Sequence, residues 1–453
     1  MTAADVAPGD TVDAPRIRIY HRLPSLARNP LAVLEEVGRR HGGEIVRLDL
    51  GFSKPYLVTK PDHVQRVWQR SDVYVRGGAM WDSMARFQGN GILGEGPQWQ
   101  TSRKLIQPLF TGKAISALMA TTAESVNQAV DDLAGRVGTG TVVNAHQEML
   151  GITQRVLSRA FLGDRIPQRD AQTLSRAVFT AYGAMGLRLL LPFVSLRVPM
   201  PGDRTYDRGV RTIDSILLPN ITRARAEEPT PDILSVLAHA RDEQGNHLAD
   251  RLVRDDLVAM FLAGTETTAS ALTWLWTLRE IHPDVAARQD DEIQSVVGGG
   301  PVAAEHVGKL TYTKAVLDEV LRLYPAGWFL PRVLQAPDEL GGVALKPGST
   351  VIISPYLTHR MPDLWPDPER FDPERFAVDR EQPRRHPYAY YPFAGGIHRC
   401  LGSHFFVIEA LLAAAAMVSR FHHKMRVTQP VLPNASASLR PRGKTSMELR
   451  PRG

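Results

Sequence analysis

The chain has 453 residues, 43% of them hydrophobic and 23% charged, which excludes a disordered or fibrous class and suits a large globular enzyme. Its net charge is +6, from 54 Lys and Arg against 48 Asp and Glu. With no basic helix or aromatic platform beside the arginine-rich end "LRPRGKTSMELRPRG", the excess reads as solvated surface, and nucleic-acid binding is not expected. The single cysteine, Cys400, excludes an intrachain disulfide and fits a reducing, cytoplasmic setting.

In chain order, the first twenty residues lack an apolar h-region, so neither a signal peptide nor an integral membrane anchor is expected. "EIVRLDLGFSKPYLVT", 44–59, predicts two short strands joined by a glycine-containing turn, and "STVIIS", 349–354, a later one. Helices are expected near 30–41, 61–70, 98–106, 115–137, 144–162, 170–185, 205–227, 231–240, 250–281, 284–297, 312–323 and 403–421. No repeat or Gly/Ser linker divides the chain, so residues 1–453 read as one mainly α domain with a minor β region.

The helix at 250–281 would be roughly 48 Å long at 1.5 Å per residue, enough to cross the molecule. Arg251, Arg254, Asp255 and Asp256 cluster at its start, and Glu266 stands in its apolar middle beside Thr265, Thr267 and Thr268. An unpaired acid at a bilayer midplane costs about 2.5 to 3.5 kcal/mol, so a buried helix of a soluble protein is the better reading than a membrane span. Ala263, Gly264 and Thr267 fall on one face and predict a shallow groove bordered by a hydroxyl. In "LDEVLRLYP", Glu319 and Arg322 are spaced i, i+3 among apolar residues, so a buried pair needing a further partner is expected. "PDPERFDPERF" offers Arg375.

Cys400 lies in "PFAGGIHRCLG", between Gly395 and Gly396 on one side and Gly402 on the other. These glycines let the backbone lie against a flat partner. The helix that follows should favour a thiolate through its N-terminal dipole, and a metal would complete the deprotonation. A small core residue is the structural alternative.

Together and in this order, these features resemble the cytochrome P450 family, in which a cysteine thiolate holds haem. Phe393, Gly396, His398, Cys400 and Gly402 match its haem-ligand loop, with His398 where many members have arginine. Ala263, Gly264, Glu266 and Thr267 match the oxygen-activating stretch of its long central helix over the haem. Glu319, Arg322 and Arg375 match its structural triad, while Trp99, Arg103 and Arg332 match its propionate partners. The resemblance implies haem b with iron on Cys400, Thr267 positioning O2 and Glu266 supplying protons through water. Thr267 has a structural alternative, a bond back to the carbonyl four residues earlier.

The resemblance also implies a monomer that takes a small-molecule substrate, O2 and electrons from a ferredoxin or flavodoxin with its reductase. Lys104, Lys113 and Arg399 are candidates for the docking face. Trp81, Phe87, Phe179, Tyr182, Trp328 and Phe329 are candidate pocket residues. The implied reaction is hydroxylation or oxidative cyclisation of a mainly apolar secondary metabolite, such as a terpene, polyketide or aromatic peptide alkaloid. A peroxide-using relative, or a haem-thiolate sensing protein without turnover, is the alternative.

Overall fold

The computed structural model describes residues 13–452 except 52, 139, 164, 191–193, 196, 243, 379–383 and 436–437. The helices expected from periodicity form close to their expected limits, among them Gly112–Arg136, Ala145–Leu162, Gln168–Ala184, Asp203–Ala226, Asp250–Ile281, Thr311–Leu323 and Ser403–Arg420. Local chemistry sets those limits. Thr111 and Asn144 accept hydrogen bonds from the amides of Ala114 and Gln147, capping two of these helices. Proline opens the helices Pro30–His41, Pro61–Gln69, Pro97–Ile106 and Pro283–Val297, where a missing N–H costs nothing. A helix that periodicity did not reveal, Ala79–Gln88, is framed by Gly78 and Gly89 at positive φ.

The expected strands in 44–59 pair antiparallel, Val46 opposite Leu57, and the later run joins them in parallel, Leu57 opposite Ile352. They form part of a six-stranded sheet in the order Arg16–Arg18, Val46–Asp49, Tyr56–Val58, Thr350–Ile353, Leu330–Leu334 and Tyr74–Val75. A second sheet joins Phe421–Arg426, Ser446–Pro451 and Thr141–Asn144. The β content exceeds expectation because these added strands are short and find partners far away in sequence.

The helix Asp250–Ile281, the central helix, is buried over Val253–Leu262 and again over Thr268–Arg279. Trp274 stacks on Tyr324 with ring centres 3.5 Å apart, and its indole N–H donates to the Leu439 carbonyl at 3.2 Å. That bond holds the hairpin Pro433–Ala435/Leu439–Pro441 against the helix. Among the described residues, one segment is long and apolar enough to cross a membrane, Gly396–Arg420, and 72% of its most apolar window is buried inside the protein. It is a core helix.

The charges at the start of the central helix fasten a loop. Asp256 accepts from the Ile92 amide and the Ser102 hydroxyl, each at 2.6 Å. Arg254 donates to the Phe87 carbonyl at 3.0 Å and pairs with Asp214 and Asp255. A Cβ on Gly89 or Gly91 would collide with the carboxylates of Asp255 or Asp256, so glycine is what lets this loop come so close. Burial pushes the Asp256 carboxyl up to about 6.

Candidate functional site

Within the buried central helix, accessible surface reappears on Ala263, Gly264, Glu266 and Thr267. Cys400 also keeps accessible surface, on the loop just before the helix Ser403–Arg420. Thr268 hydrogen-bonds Glu409, which joins the central helix to the helix that follows the cysteine. Fully buried turns precede and follow the residues of the central helix, so their surface is separate from the exposed helix ends.

The loop before Cys400 holds its shape through backbone contacts. The Cys400 amide donates to the Phe393 carbonyl at 2.9 Å, and the Phe393 ring packs on Phe406 at 5.5 Å. Gly396 has φ +62°, and a Cβ there would strike the Trp68 carbonyl. The Gly402 amide bonds the thiol, and Arg103, Arg76 and Arg399 favour a thiolate, but burial outweighs them and pushes the thiol up. The expected helix-dipole gain therefore does not prevail in the protein alone. Desolvation is larger, and a metal cation must supply the rest.

Beside this loop the protein gathers buried cations. Arg332 is 3% exposed, lies over the Trp68 ring and, among the described residues, makes one hydrogen bond, to the Pro331 carbonyl at 2.7 Å. Burial pushes it down to about 9. Arg76, which sequence reasoning missed, is pushed down by burial to about 10, and its Nε is buried without a partner among the described residues. Glu95, also missed, accepts from the Arg76 amide at 2.9 Å and from His398 at 3.1 Å. Trp99 packs on the His398 ring at 4.4 Å, and Arg103 ties its helix to the loop through the Arg399 carbonyl at 2.9 Å. An arginine before two glycines and a glutamate between two glycines were the signals available for Arg76 and Glu95. Cations desolvated this far, with one carboxylate among them, form a site for a dianionic group. The two propionates of haem fit that charge, and the thiol fits its iron.

The Thr267 hydroxyl donates to the Ala263 carbonyl at 2.6 Å, so the structural alternative for that side chain is the state present. A Cβ on Gly264 would approach Leu157 at 2.8 Å, so the glycine also admits the helix Ala145–Leu162 while it keeps accessible surface. Glu266 lies 3.5 Å from His146 Nε2, and its Oε1 accepts from Ser438 at 3.3 Å and from Ser270 at 3.5 Å. Burial raises this carboxyl, but His146, Arg440 and Ser438 outweigh burial and hold it below its ordinary value.

Glu319 and Arg322 form the expected buried pair, bidentate at 2.7 and 2.8 Å, and Arg375 approaches Glu319 at 3.5 Å. The aromatic candidates do not gather at one place. Phe87 is 1% exposed, wedged against Tyr182 and Tyr206, and is core instead of lining. Phe179 and Tyr182 are partly buried against the main core, while Trp328 and Phe329 pack under the six-stranded sheet. Trp81 lies 5.3 Å from the Arg76 guanidinium, on the side of the cation cluster.

A family model described as Cytochrome P450 matches residues 13–449. Cyclooctatin synthase of Streptomyces melanosporofaciens is 32% identical over 431 residues, which cover 94% of this chain and 91% of that protein. Pentalenene oxygenase of Streptomyces avermitilis is 28% identical over 416 residues, 91% of each chain. The crystal structure of the cytochrome P450DA heme domain is alike in fold, with a TM-score of 0.87 over 98% of both chains at 21% identity.

Proposed function

Because the chain belongs to the cytochrome P450 family, and so is a monooxygenase that carries haem on a cysteine thiolate, we propose that Cys400 is the iron ligand and that Arg76, Arg332, Arg103, Trp99 and His398 hold the propionates. The observation that carries this reading is the set of desolvated cations beside the chain's only cysteine. Phe393, Gly396 and Gly402 shape the thiol's loop. Thiolate-bound haem supplies the power to activate O2 and oxidise C–H bonds.

The chain's own residues then divide the remaining work. Ala263 would leave room beside the cofactor, and Thr267 would turn its hydroxyl from the Ala263 carbonyl toward O2 and orient it. Glu266 passes on the proton to be delivered, and the apolar walls exclude bulk water. Residues 1–453 act as one haem domain, a cytoplasmic monomer that receives electrons from a ferredoxin or flavodoxin. Lys104, Lys113 and Arg399 are all exposed and give that acidic donor a basic face.

The substrate is a mainly apolar secondary metabolite, bound in a pocket lined in part by Phe179 and Tyr182 of the helix Gln168–Ala184, where Tyr182 feels the Glu266 charge. Pentalenene, named for one relative, is an alkene by its name, which favours a terpene-type hydrocarbon over a polyketide or peptide alkaloid. The test is the ferrous carbon-monoxide spectrum, followed by titration of terpene, polyketide and indole-peptide panels into the ferric protein. The red-shifted Soret band that names the family, with a spin-state change on adding a terpene, is the expected result. Loss of that band in properly folded protein would remove Cys400 from the iron. Thr267→Ala should keep haem and the band but consume NAD(P)H without matching product; unchanged coupling would remove Thr267 from the reaction.

A further inference from the structure

His146 opens the helix Ala145–Leu162, is 6% exposed, and has no part in the chemistry described above. Its ring lies between two oxygens of known chemistry. Nδ1 is 3.2 Å from the Thr273 hydroxyl, and Nε2 is 3.5 Å from the Glu266 carboxylate. Thr273 has one proton, and its oxygen lies 2.6 Å from the Ala269 carbonyl. Two acceptors at that separation repel unless a proton lies between them, so the threonine's proton is committed to the carbonyl. The Thr273 oxygen can then only accept from His146, and Nδ1 carries a hydrogen.

In neutral imidazole the other nitrogen is then a bare lone pair. Nε2 would face the Glu266 carboxylate 3.5 Å away with no hydrogen between them, in a place where Nε2 has no hydrogen-bond partner among the described residues. Burying two such acceptors face to face is costly, and one proton relieves it. The groups facing Glu266 from its own helix and from the other elements do not remove that need. Ser438 and Arg440 come from the C-terminal hairpin, Ser270 from the central helix, and Tyr182 from the helix Gln168–Ala184.

We propose that His146 and Glu266 hold a single proton between them, and that His146 is the positioning residue that reloads Glu266 during turnover. In the step, the N–H bond at Nε2 breaks as an O–H bond forms at Oε2, and the nitrogen keeps the electron pair. Imidazolium and carboxylate become imidazole and carboxylic acid, with the Nδ1–H bond to Thr273 unchanged. Once Glu266 has given its proton to the reaction, a proton from solvent water restores the pair. This rests on the reading of Glu266 as proton source.

The test uses the haem-loaded enzyme with its redox partners and three variants. His146→Gln keeps an N–H donor for Glu266 but cannot hand over a proton, and His146→Leu removes both abilities. Glu266→Gln removes the acid. All three should keep the carbon-monoxide spectrum and lower product per NAD(P)H by roughly tenfold, a low value for a general-acid group. A second readout needs no turnover: the infrared titration of the Glu266 carboxyl should move upward in His146→Leu, because burial is then opposed by one fewer partner. Coupling restored by His146→Gln would mean that a hydrogen bond suffices, and the proposal falls. If Glu266→Gln uncouples while both His146 variants couple normally, only this proposal falls. If Glu266→Gln itself couples normally, the reading of Glu266 as proton source falls first.

Discussion

Arg322 and Arg332 lie ten positions apart in sequence, both desolvated, and the protein answers them differently. All five N–H donors of Arg322 are used: two on Glu319, and one each on the carbonyls of His359, Pro368 and Arg370 at 2.7 to 3.1 Å. Among the described residues Arg332 has one such bond, and it is pushed down to about 9. Its neighbour Arg76 repels it, and Glu95 attracts it only in part. A buried charge met on every donor is framework. Arg332 is desolvated beside a second cation with little returned by the described residues, which suits an anion that is not protein, and the family's cofactor would bring two carboxylates.

The largest effect expected from this contrast is at Glu319. Glu319→Gln leaves the fully buried Arg322 charge without its anion and should destabilise the protein by about 3 to 5 kcal/mol. Urea unfolding measures it, and a loss below about 1 kcal/mol would put the two arginines in one class. The next effect is a pH dependence in the same framework. His359 accepts from the Tyr391 amide at 3.0 Å through Nε2, and its Nδ1 faces the Arg322 carbonyl at 3.2 Å, so both nitrogens are used by the neutral ring. Burial, with Arg322 beside it, pushes His359 down to about 3.

The folded state therefore binds fewer protons than the unfolded chain between about pH 6.5 and 3. The contribution of His359 is whole above pH 6.5 and is lost as pH falls toward 3, at about 1.4 kcal/mol per unit. Between pH 6.5 and 4.5 that is about 3 kcal/mol. In His359→Asn the acid slope of stability should be shallower by about one proton, and an unchanged slope would show that this histidine is not held neutral.

What could be read before folding follows from the range of the interactions. The central helix and the loop before Cys400 were legible because periodicity and glycine act within a few residues. The Glu319–Arg322 pair was legible for the same reason, being one helical turn apart. Arg76 and Glu95 were not, since they meet His398 across 303 positions in the case of Glu95. Nor were the partners of Glu266, because Ser438 reaches it from 172 positions away. Phe87 shows the other limit: an aromatic side chain announces burial, but its type does not say whether it faces a cavity or, as here, Tyr182 and Tyr206.

The smallest effect in energy divides the two arginines most sharply, because it has opposite signs in two states of one variant. Arg332→Met keeps most of the side-chain volume and removes the charge. In the cofactor-free chain that charge is a desolvation cost with little return, so the variant should unfold at higher urea, by about 1 kcal/mol. With haem bound, the same substitution removes a charge-assisted partner of a propionate, worth about 1.5 to 3 kcal/mol, so haem should leave at least roughly tenfold faster into a scavenging globin. A framework arginine would give one sign in both measurements, destabilising the empty chain as well as the loaded one. If Arg332→Met does that, its donors are met by protein after all, and the cation cluster beside Cys400 loses its reading as the seat of the propionates.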